Sequence, residues 1–529
     1  MKKILLTLFI TCMFLACDDR LEDLNKPTKS PVVVTAETLF SNGVKELAYM
    51  VTNSNTNVNV FRLYAQYWAQ TTYPDESQYN MVTRRNPDNF WRGAYRDALK
   101  DLDEARKITV ATAEALALPD EIRDNRLAII DVCKVYGYAA LVDAFGPVPF
   151  EEALNEENPQ PKYEDDEEVY SKLIAMLDEA INMIDIEAEA FPAAQDLLYD
   201  GDMEGWLKFA NSLKLKMAIT ISDVDAGKAG PMIAQALAGG VFESNEDNAS
   251  MTYLDAFPNT HPVHEDLVQS GRDDYVIANT IVDKLNALQD PRLLVYGQGV
   301  DFVYPLDANK KERDSIVTTG GKLTTYYAES DSVVYRTTPF TIFAKDTLKP
   351  VQLFVGGVYG NNNTFALRSH VGAPFYEPDL EGLLLDFAEV EFLLAEAIER
   401  GLTAGVAEDH YNNAITASME YWGIGEEEIE TYLTNPDVAY STAAGTWKQK
   451  IGIQHWMALY NRGFEGWTVW RRLDFTGFNA PPLMTYNDIP ERFIYPIEEA
   501  TLNKENLTAG ISLLGGADDA NTKVFWDIN

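Results

Sequence analysis

The sequence predicts a mainly α-helical fold, in which TPR-like helical hairpins stack as a right-handed superhelix beside an irregular loop-rich segment with a few short strands. Apolar residues recur at helical spacing in many segments, and several of these segments follow one another as pairs. The pairs recur at intervals of about forty residues, although the strict consensus of the repeat is absent. From 251 to 377 the helical pattern gives way to Gly, Asn, Asp, Thr and aromatic residues.

The amino terminus predicts export and lipid attachment. Residues 1–16 carry two lysines and then an apolar run that suits a signal peptide and is short for a membrane span. Leu15-Ala16-Cys17 follows, and this tripeptide resembles the lipobox of bacterial lipoproteins. The alternative is an ordinary signal peptide with a chance cysteine. We expect Cys17 to be lipidated, 17–35 to form a tether, and 36–529 to form a single domain anchored to the membrane through the lipid.

The helical hairpins are predicted in two regions, at about 36–240 and 381–475. Gly146-Pro147 ends one helix, because proline cannot continue the hydrogen-bond ladder. The predicted pairs are 167–184 with 204–222, 383–400 with 408–422, and 447–461 with 464–472. The other predicted helices are 36–51, 60–70, 88–108, 121–145 and 275–288.

Aromatic residues in the last hairpin predict a buried core. Trp456, Tyr460, Phe464, Trp467 and Trp470 fall at helical spacings, and such a stripe is more often core than ligand site.

Two adjacent arginines follow this stripe. We expect Arg471 and Arg472 to meet the carboxylates of Glu389 or Glu391, although a solvated pair fits the sequence equally well.

Charge and cysteine content exclude a nucleic-acid partner and a disulfide framework. The formal net charge is −39, and such a surface repels phosphate backbones, so no nucleic-acid partner is expected. Of the three cysteines, Cys12 leaves with the signal peptide and Cys17 carries the lipid. Cys133 remains within an apolar helix, where a buried thiol is ordinary, so no disulfide framework is predicted.

Motifs of catalysis and of metal binding are absent from the sequence. It contains no HExxH, no glycine-rich phosphate loop and no nucleophile elbow. His261 and His264, with Glu265 and Asp266, are spaced as a possible metal site, but a loop histidine pair is more often a ligand contact or surface feature. We therefore predict no metal, no cofactor and no enzyme activity. A glycosidase needs two carboxylates about 5–10 Å apart, which sequence alone does not show.

Binding remains as the predicted activity, and it is expected in the loops 71–85 and 251–377. Long irregular segments within a compact fold often carry function, and aromatic rings stack on sugar C–H groups. For any single ring, core packing is as good an explanation. The predicted ligand-binding residues are Tyr73, Tyr79, Tyr253, Phe257, Tyr275 and Tyr359.

Several stretches, taken in order, resemble one family. They include DNFWRGAYRDALKDLDEA at 88–105, VYGYAALVDAFGPVPF at 135–150, QKIGIQHWMALYNRGFEGWTVWRR at 449–472 and PERFIYP at 490–496. Each motif is weak by itself, but the ordered set covers nearly the whole mature chain. The sequence resembles the SusD/RagB-type outer-membrane lipoproteins of Bacteroidetes.

The resemblance implies a non-catalytic, lipid-anchored protein of the outer membrane at the cell surface. It implies that the protein binds oligosaccharide and delivers it to a SusC-like TonB-dependent transporter, which it caps as a lid. Two alternatives stay open: a peptide or another small nutrient in the same role, and a secreted glycoside hydrolase on a helical scaffold.

Overall fold

The computed structural model describes residues 34–303 and 351–528 and, between them, the strand backbones 312–318, 322–327, 332–335 and 342–344. Side chains are described for 34–300 and 354–528. The predicted signal peptide (1–16) and Cys17 lie outside the described residues, as does nearly all of the tether.

The fold is mainly helical, as the sequence predicts, and no helix among the described residues is both long and apolar enough to cross a membrane. The helices of seven or more residues are α1 Ala36–Thr52, α2 Asn86–Arg92, α3 Lys100–Thr112, α4 Asp120–Phe145, α5 Asp166–Met183, α6 Met203–Thr220, α7 Ala226–Gly239, α8 Asn279–Leu288, α9 Phe387–Glu399, α10 Ala407–Tyr421, α11 Glu426–Leu433, α12 Trp447–Ala458, α13 Gly463–Leu473 and α14 Lys504–Leu513. A π-helical stretch, Gly93–Leu99, joins α2 to α3.

The strands are short and lie between or beside the helices. They are β1 Trp68–Gln70, β2 Val148–Pro149, β3 Tyr163–Glu164, β4 Ala249–Met251, β5 Tyr275–Ile277, β6 Gly297–Gln298, β7 Val300–Val303, β8 Glu312–Thr318, β9 Lys322–Tyr327, β10 Ser332–Tyr335, β11 Ile342–Ala344, β12 Val351–Leu353, β13 His370–Val371 and β14 Gly382–Leu385. Six of them form one antiparallel sheet in the order β11-β10-β9-β8-β7-β12. The pairs β1–β5, β2–β3, β4–β14 and β6–β13 are also antiparallel.

Polar side chains begin many of the long helices. Each accepts a hydrogen bond from a backbone N–H group of the first turn, which would otherwise lack an acceptor. Thr446 and Gln449 do this reciprocally at the start of α12, in a capping box. The other side-chain caps are Thr35, Asp165, Asp202, Asp225 and Asp386.

Helix pairing agrees with the sequence prediction in the second half of the chain and departs from it in the first. The predicted hairpins α9–α10 and α12–α13 are present. The predicted pairing of 167–184 with 204–222 is wrong as the main contact, because α5 packs chiefly against α4, and α6 packs chiefly against α7. Helix α7 was not among the predicted helices, and α6 was therefore paired with the nearest helix that had been predicted, α5.

Two helices predicted from periodicity are partly strands. Within the predicted helix 60–70, only Phe61–Tyr64 is helical. Gln66 then takes a left-handed backbone conformation, with φ of 57°. The following strand β1 pairs with β5, where the sequence predicts the first turn of helix 275–288. Both predictions are wrong at these strand residues for the same reason, since the ladder between distant segments outweighs local periodicity, while the rest of the second helix is present as α8.

The aromatic stripe of the last hairpin is buried, as predicted. The indole N–H of Trp456 donates to the carbonyl of Ala65 at 2.9 Å, and that of Trp467 donates to the carbonyl of Pro490 at 2.9 Å. Both indoles are therefore satisfied within the core, which is the condition for burying a tryptophan without losing a hydrogen bond.

A buried group of charges, which we call the Arg462 network, ties the two helical regions together. It consists of Arg462, Glu389, Lys216, Glu465 and Asp386. The Arg462 guanidinium lies 2.5 Å from a Glu389 carboxylate oxygen, and Lys216 of α6 lies 3.2 Å from the other oxygen of the same carboxylate. The carboxylate of Glu389 is therefore ion-paired with two separate parts of the chain.

The two arginines of α13 contact different kinds of partner. Arg472 pairs with Glu396 of α9. Arg471 lies over the ring of Trp467, 3.6 Å from its centroid, and donates to the carbonyl of Asp143 at 2.7 Å. The expectation of a carboxylate on a neighbouring helix was correct for Arg472, but the carboxylate lies two turns further along α9.

We predict that Trp456→Ala and Trp467→Ala each lower the free energy of unfolding by about 3–5 kcal/mol, because each leaves a cavity and an unpaired backbone carbonyl in the core. Urea denaturation measures this, with Phe257→Ala as control, since the Phe257 side chain is 75% exposed. Equal midpoints for all three variants would contradict the assignment of these tryptophans to the core.

Candidate ligand-binding site

The six aromatic residues predicted to bind ligand fall into two groups. Tyr73 is 64% exposed and Phe257 is 75% exposed, so each ring offers a free face. Tyr79, Tyr253, Tyr275 and Tyr359 are buried. Stacking by these four rings would require them to leave the core, so for these residues the structure favours core packing, the alternative that the sequence left open.

Hydrogen bonds hold the buried tyrosines in place. The Tyr79 hydroxyl accepts from Gln66 Nε2 at 2.9 Å, and the Tyr359 hydroxyl donates to the carbonyl of Leu63 at 2.7 Å. The Tyr275 hydroxyl donates to the carbonyl of Ser54 at 3.0 Å. Burial raises the pKa of Tyr79 to about 12. These rings are therefore part of the core that supports the loops, and their hydroxyl groups stay protonated at neutral pH.

Two grooves open on either side of the segment 262–269. The first, groove A, is a cavity of about 140 Å³. Its lining is mostly polar and consists of Asn55, Thr56, Asn57, Gln70, Thr72, Tyr73, Arg84, Asp266, Ser270, Arg272, Asp274 and Tyr275. The second, groove B, is a cavity of about 640 Å³. Its lining is Lys45, Glu46, Tyr49, Leu197, Met251, Thr252, Tyr253, Leu254, Phe257, Pro258, Asn259, Thr260 and Glu265.

The grooves bring together four of the six predicted residues. Tyr73 and Tyr275 line groove A, and Tyr253 and Phe257 line groove B. The neighbouring residues Glu265 and Asp266 line groove B and groove A respectively, so the segment 262–269 is the wall between them. Tyr79 and Tyr359 belong to neither groove.

The loop that carries Tyr73 is fixed at its root. The Thr71 N–H donates to the carbonyl of Asp274 at 2.9 Å, and the Thr71 hydroxyl donates to the carbonyl of Asp273 at 2.5 Å. The side chain of Gln70 donates to Glu76 at 2.8 Å and accepts from the Ser77 N–H at 3.0 Å. The Thr71 N–H bond extends the β1–β5 ladder by one residue, and Tyr73, two residues further along the chain, lines groove A.

Ion pairs occupy the arginines of groove A. Arg84 Nε lies 2.5 Å from Glu76, whose side chain is buried, and Arg272 Nε lies 2.9 Å from Asp274. The pKa of Glu76 is raised by burial, and the hydrogen bond from Gln70 and the charge of Arg84 offset only part of this increase. Arg84, Arg272 and Asp274 were not among the predicted site residues. The sequence pointed to them only indirectly, because all three lie within the segments 71–85 and 251–377 that were predicted to bind ligand.

Asp266 is the second acidic residue that lines groove A, beside Asp274. Its carboxylate accepts from the Ser54 hydroxyl at 2.7 Å and from Asn55 Nδ2 at 3.4 Å. Burial raises the pKa of Asp266 to about 6. A carboxylate that accepts only from uncharged donors in a partly dry site keeps its proton to a higher pH than an exposed one.

Groove B has a more apolar character. Phe257 and Leu254 are both exposed there, and the buried ring of Tyr253 packs edge-on against His261 at 4.9 Å between centroids. Burial raises the pKa of Glu46 at its rim, with nearby Lys45 acting in the opposite direction.

The two histidines of the predicted loop pair bond to separate backbone groups. His261 is buried and its Nδ1 accepts from the Val263 N–H at 3.2 Å, while burial lowers its pKa. His264 Nδ1 donates to the carbonyl of Tyr376 at 2.6 Å. In the part of the chain that the structure describes, no group of three or more His, Cys, Asp or Glu side chains is arranged to hold a metal.

A family model and several solved structures match this chain. The SusD-like model described as "Starch-binding associating with outer membrane" matches residues 27–496. A SusD homolog from Bacteroides uniformis is 23% identical, with 93% of this chain and 99% of that chain covered and a TM-score of 0.71. A chitin-binding SusD homolog from Flavobacterium johnsoniae is 21% identical, with the same coverage and a TM-score of 0.70. A search of curated proteins found no match.

We predict that Asp266→Asn changes the pH dependence of stability. The folded-state pKa of about 6 exceeds the unfolded value of about 3.9, so the folded protein binds more protons between these pH values. The contribution of Asp266 to stability is therefore greatest below about pH 4, falls as the pH rises to about 6, and is constant above. Urea denaturation across this range should show a flatter profile for the asparagine variant. Parallel profiles would contradict the raised pKa.

Proposed function

The chain belongs to the SusD-like family, and we propose that it is a non-catalytic, lipid-anchored protein of the outer-membrane surface that binds oligosaccharide. We propose further that it delivers the oligosaccharide to a SusC-like TonB-dependent transporter and acts as its lid. The observation that carries the binding function is groove A, where an exposed tyrosine ring lies among amide, hydroxyl and carboxylate side chains.

The composition of groove A suits a sugar. A pyranose presents apolar C–H groups on its faces and hydroxyl groups around its edge, so it needs a ring to stack on and polar groups to bond with. Tyr73 offers the ring, and Asn57, Thr72 and Ser270 are exposed polar side chains beside it. The starch-binding description of the family and the chitin-binding relative support the same class of ligand.

The ion pairs of groove A favour binding over hydrolysis. A glycosidase acid must hold and release a proton at the glycosidic oxygen, and its partner carboxylate must attack or activate water. Asp274 is instead held in an ion pair with Arg272. Sustained release of reducing sugar by the purified protein would overturn the non-catalytic assignment.

We predict that Tyr73→Ala and Phe257→Ala each weaken oligosaccharide binding about five- to tenfold without lowering the melting temperature. Each removes one stacking contact worth about 1 kcal/mol, and each side chain is largely exposed. Calorimetric titration with maltohexaose and chitohexaose, together with thermal melts, measures both effects. Leu116→Ala is the control, because Leu116 is 64% exposed and lines neither groove.

The buried tyrosines provide the contrast for this experiment. Tyr79→Ala and Tyr359→Ala should melt early, because each leaves a cavity and an unpaired polar group. If these variants stay stable and lose only ligand, while the exposed pair melts early, the core and the site have been interchanged.

We predict that Cys17→Ala releases the protein from the outer membrane. In the proposal, acyl chains on Cys17 supply the anchor, with about 0.8 kcal/mol from each buried CH₂ group. Membrane fractionation with labelled palmitate, in cells that lack the proposed SusC-like transporter, measures both retention and lipid attachment. A variant that stays in the membrane fraction without label would contradict the lipid anchor.

A further inference from the structure

We propose that groove A selects uncharged oligosaccharides and rejects acidic ones such as oligogalacturonates. This inference rests on the proposed function, because it specifies the ligand class of the same groove. It depends on how the charges that line the groove are already paired.

The arginines of groove A have partners before any ligand arrives. Arg84 is paired with Glu76, which is also held by Gln70, and Arg272 is paired with Asp274. Recognition of a sugar carboxylate commonly uses a guanidinium whose charge is free to meet it in a bidentate pair. An acidic ligand would have to displace a carboxylate that the protein itself supplies, and it would gain little from that exchange.

The remaining charge in the groove repels anions. Two arginines and two aspartates line it, and the buried carboxylate of Glu76 pairs with Arg84, so the carboxylates outnumber the guanidinium groups. Asp266 accepts from the uncharged side chains of Ser54 and Asn55. It ionises above a pH of about 6, and at neutral pH it therefore presents a negative charge that these two donors do not balance.

A neutral sugar meets no such cost. Its hydroxyl groups can donate to the carboxylate of Asp266 and can exchange hydrogen bonds with the exposed side chains of Asn57, Thr72 and Ser270. A hydrogen bond to an ionised acceptor is about twice as strong as one between neutral groups. The charge that rejects an acidic ligand therefore contributes to binding a neutral one.

The first test compares matched oligosaccharides on the wild-type protein at neutral pH and low salt. The neutral probes are maltohexaose, chitohexaose, cellohexaose and xylohexaose, and the acidic probe is hexagalacturonate. We expect at least one neutral probe to bind, and hexagalacturonate to bind at least about tenfold more weakly than that probe, which corresponds to about 1.4 kcal/mol. Calorimetric titration gives the affinities.

The second test removes the excess of negative charge with one isosteric substitution. Asp274→Asn keeps the size of the side chain but leaves Arg272 without its carboxylate, so the guanidinium and carboxylate charges of the groove balance and one guanidinium is free to meet an anion. We expect the affinity for hexagalacturonate, relative to the best neutral probe, to rise about tenfold. The added substitution Arg272→Gln should return that ratio to the wild-type value, because it removes the guanidinium that Asp274→Asn exposed.

The matched control is Asp437→Asn, which removes the same charge from an exposed side chain that lines neither groove. If Asp437→Asn raises the acidic-to-neutral ratio as much as Asp274→Asn, the effect belongs to the net charge of −39 and the inference is overturned. Melting temperatures of all variants establish that they are folded.

The outcomes separate this inference from the proposed function. Tighter binding of hexagalacturonate than of every neutral probe by the wild-type protein would overturn the selectivity and leave oligosaccharide binding standing. Binding of no probe of either kind would contradict the proposed function itself.

Discussion

The relative position of three helices depends on the buried carboxylate of Glu389. Burial by itself would raise the pKa of this group, but the charges of Arg462 and Lys216 lower it to about 2. The carboxylate is thus ionised within the core, and it needs both cations because a buried charge without partners is very costly. Since Glu389 lies in α9, Lys216 in α6 and Arg462 immediately before α13, this requirement fixes three distant helices relative to one another.

The constraint extends from the network to the rim of groove A through Arg62. Its guanidinium donates to the carbonyls of Thr52 and Asn53 at the end of α1, and to the carbonyl of Asn461, the residue before Arg462. The chain then continues directly from Asn53 to Ser54 and Asn55, which hold the carboxylate of Asp266. A displacement of Arg462 would therefore also displace Ser54 and Asn55 beside groove A, although Arg462 itself is buried in the core.

The sequence predicted those parts of the molecule that depend on local pattern. Helices α1, α4, α9 and α13 were recognised because apolar spacing, caps and a terminating Gly-Pro pair all act over a few residues. Strand β1 was missed, because its conformation is set by β5 some two hundred residues away in the chain. The same limit applies to the candidate site. Tyr73 and Tyr79 have the same residue type and lie in the same loop, and only packing against Tyr64 and Tyr359 distinguishes the buried ring from the exposed one.

The loop that carries these two tyrosines also has an unusual backbone. Tyr73 and Tyr79 have φ values of 50° and 60°, in the left-handed region that side chains with a Cβ rarely adopt. Each such residue costs on the order of 1 kcal/mol or more, and the conformation persists only if the surroundings compensate. At Tyr79 the compensation is visible, because the ring is buried and its hydroxyl accepts from Gln66. At Tyr73 the ring is exposed, so the burial that compensates Tyr79 is missing there and the hydrogen bonds of Thr71 hold the loop instead. A backbone strained to present an aromatic ring to solvent is the arrangement that a stacking ligand would use, and it supports the proposed role of Tyr73 in binding.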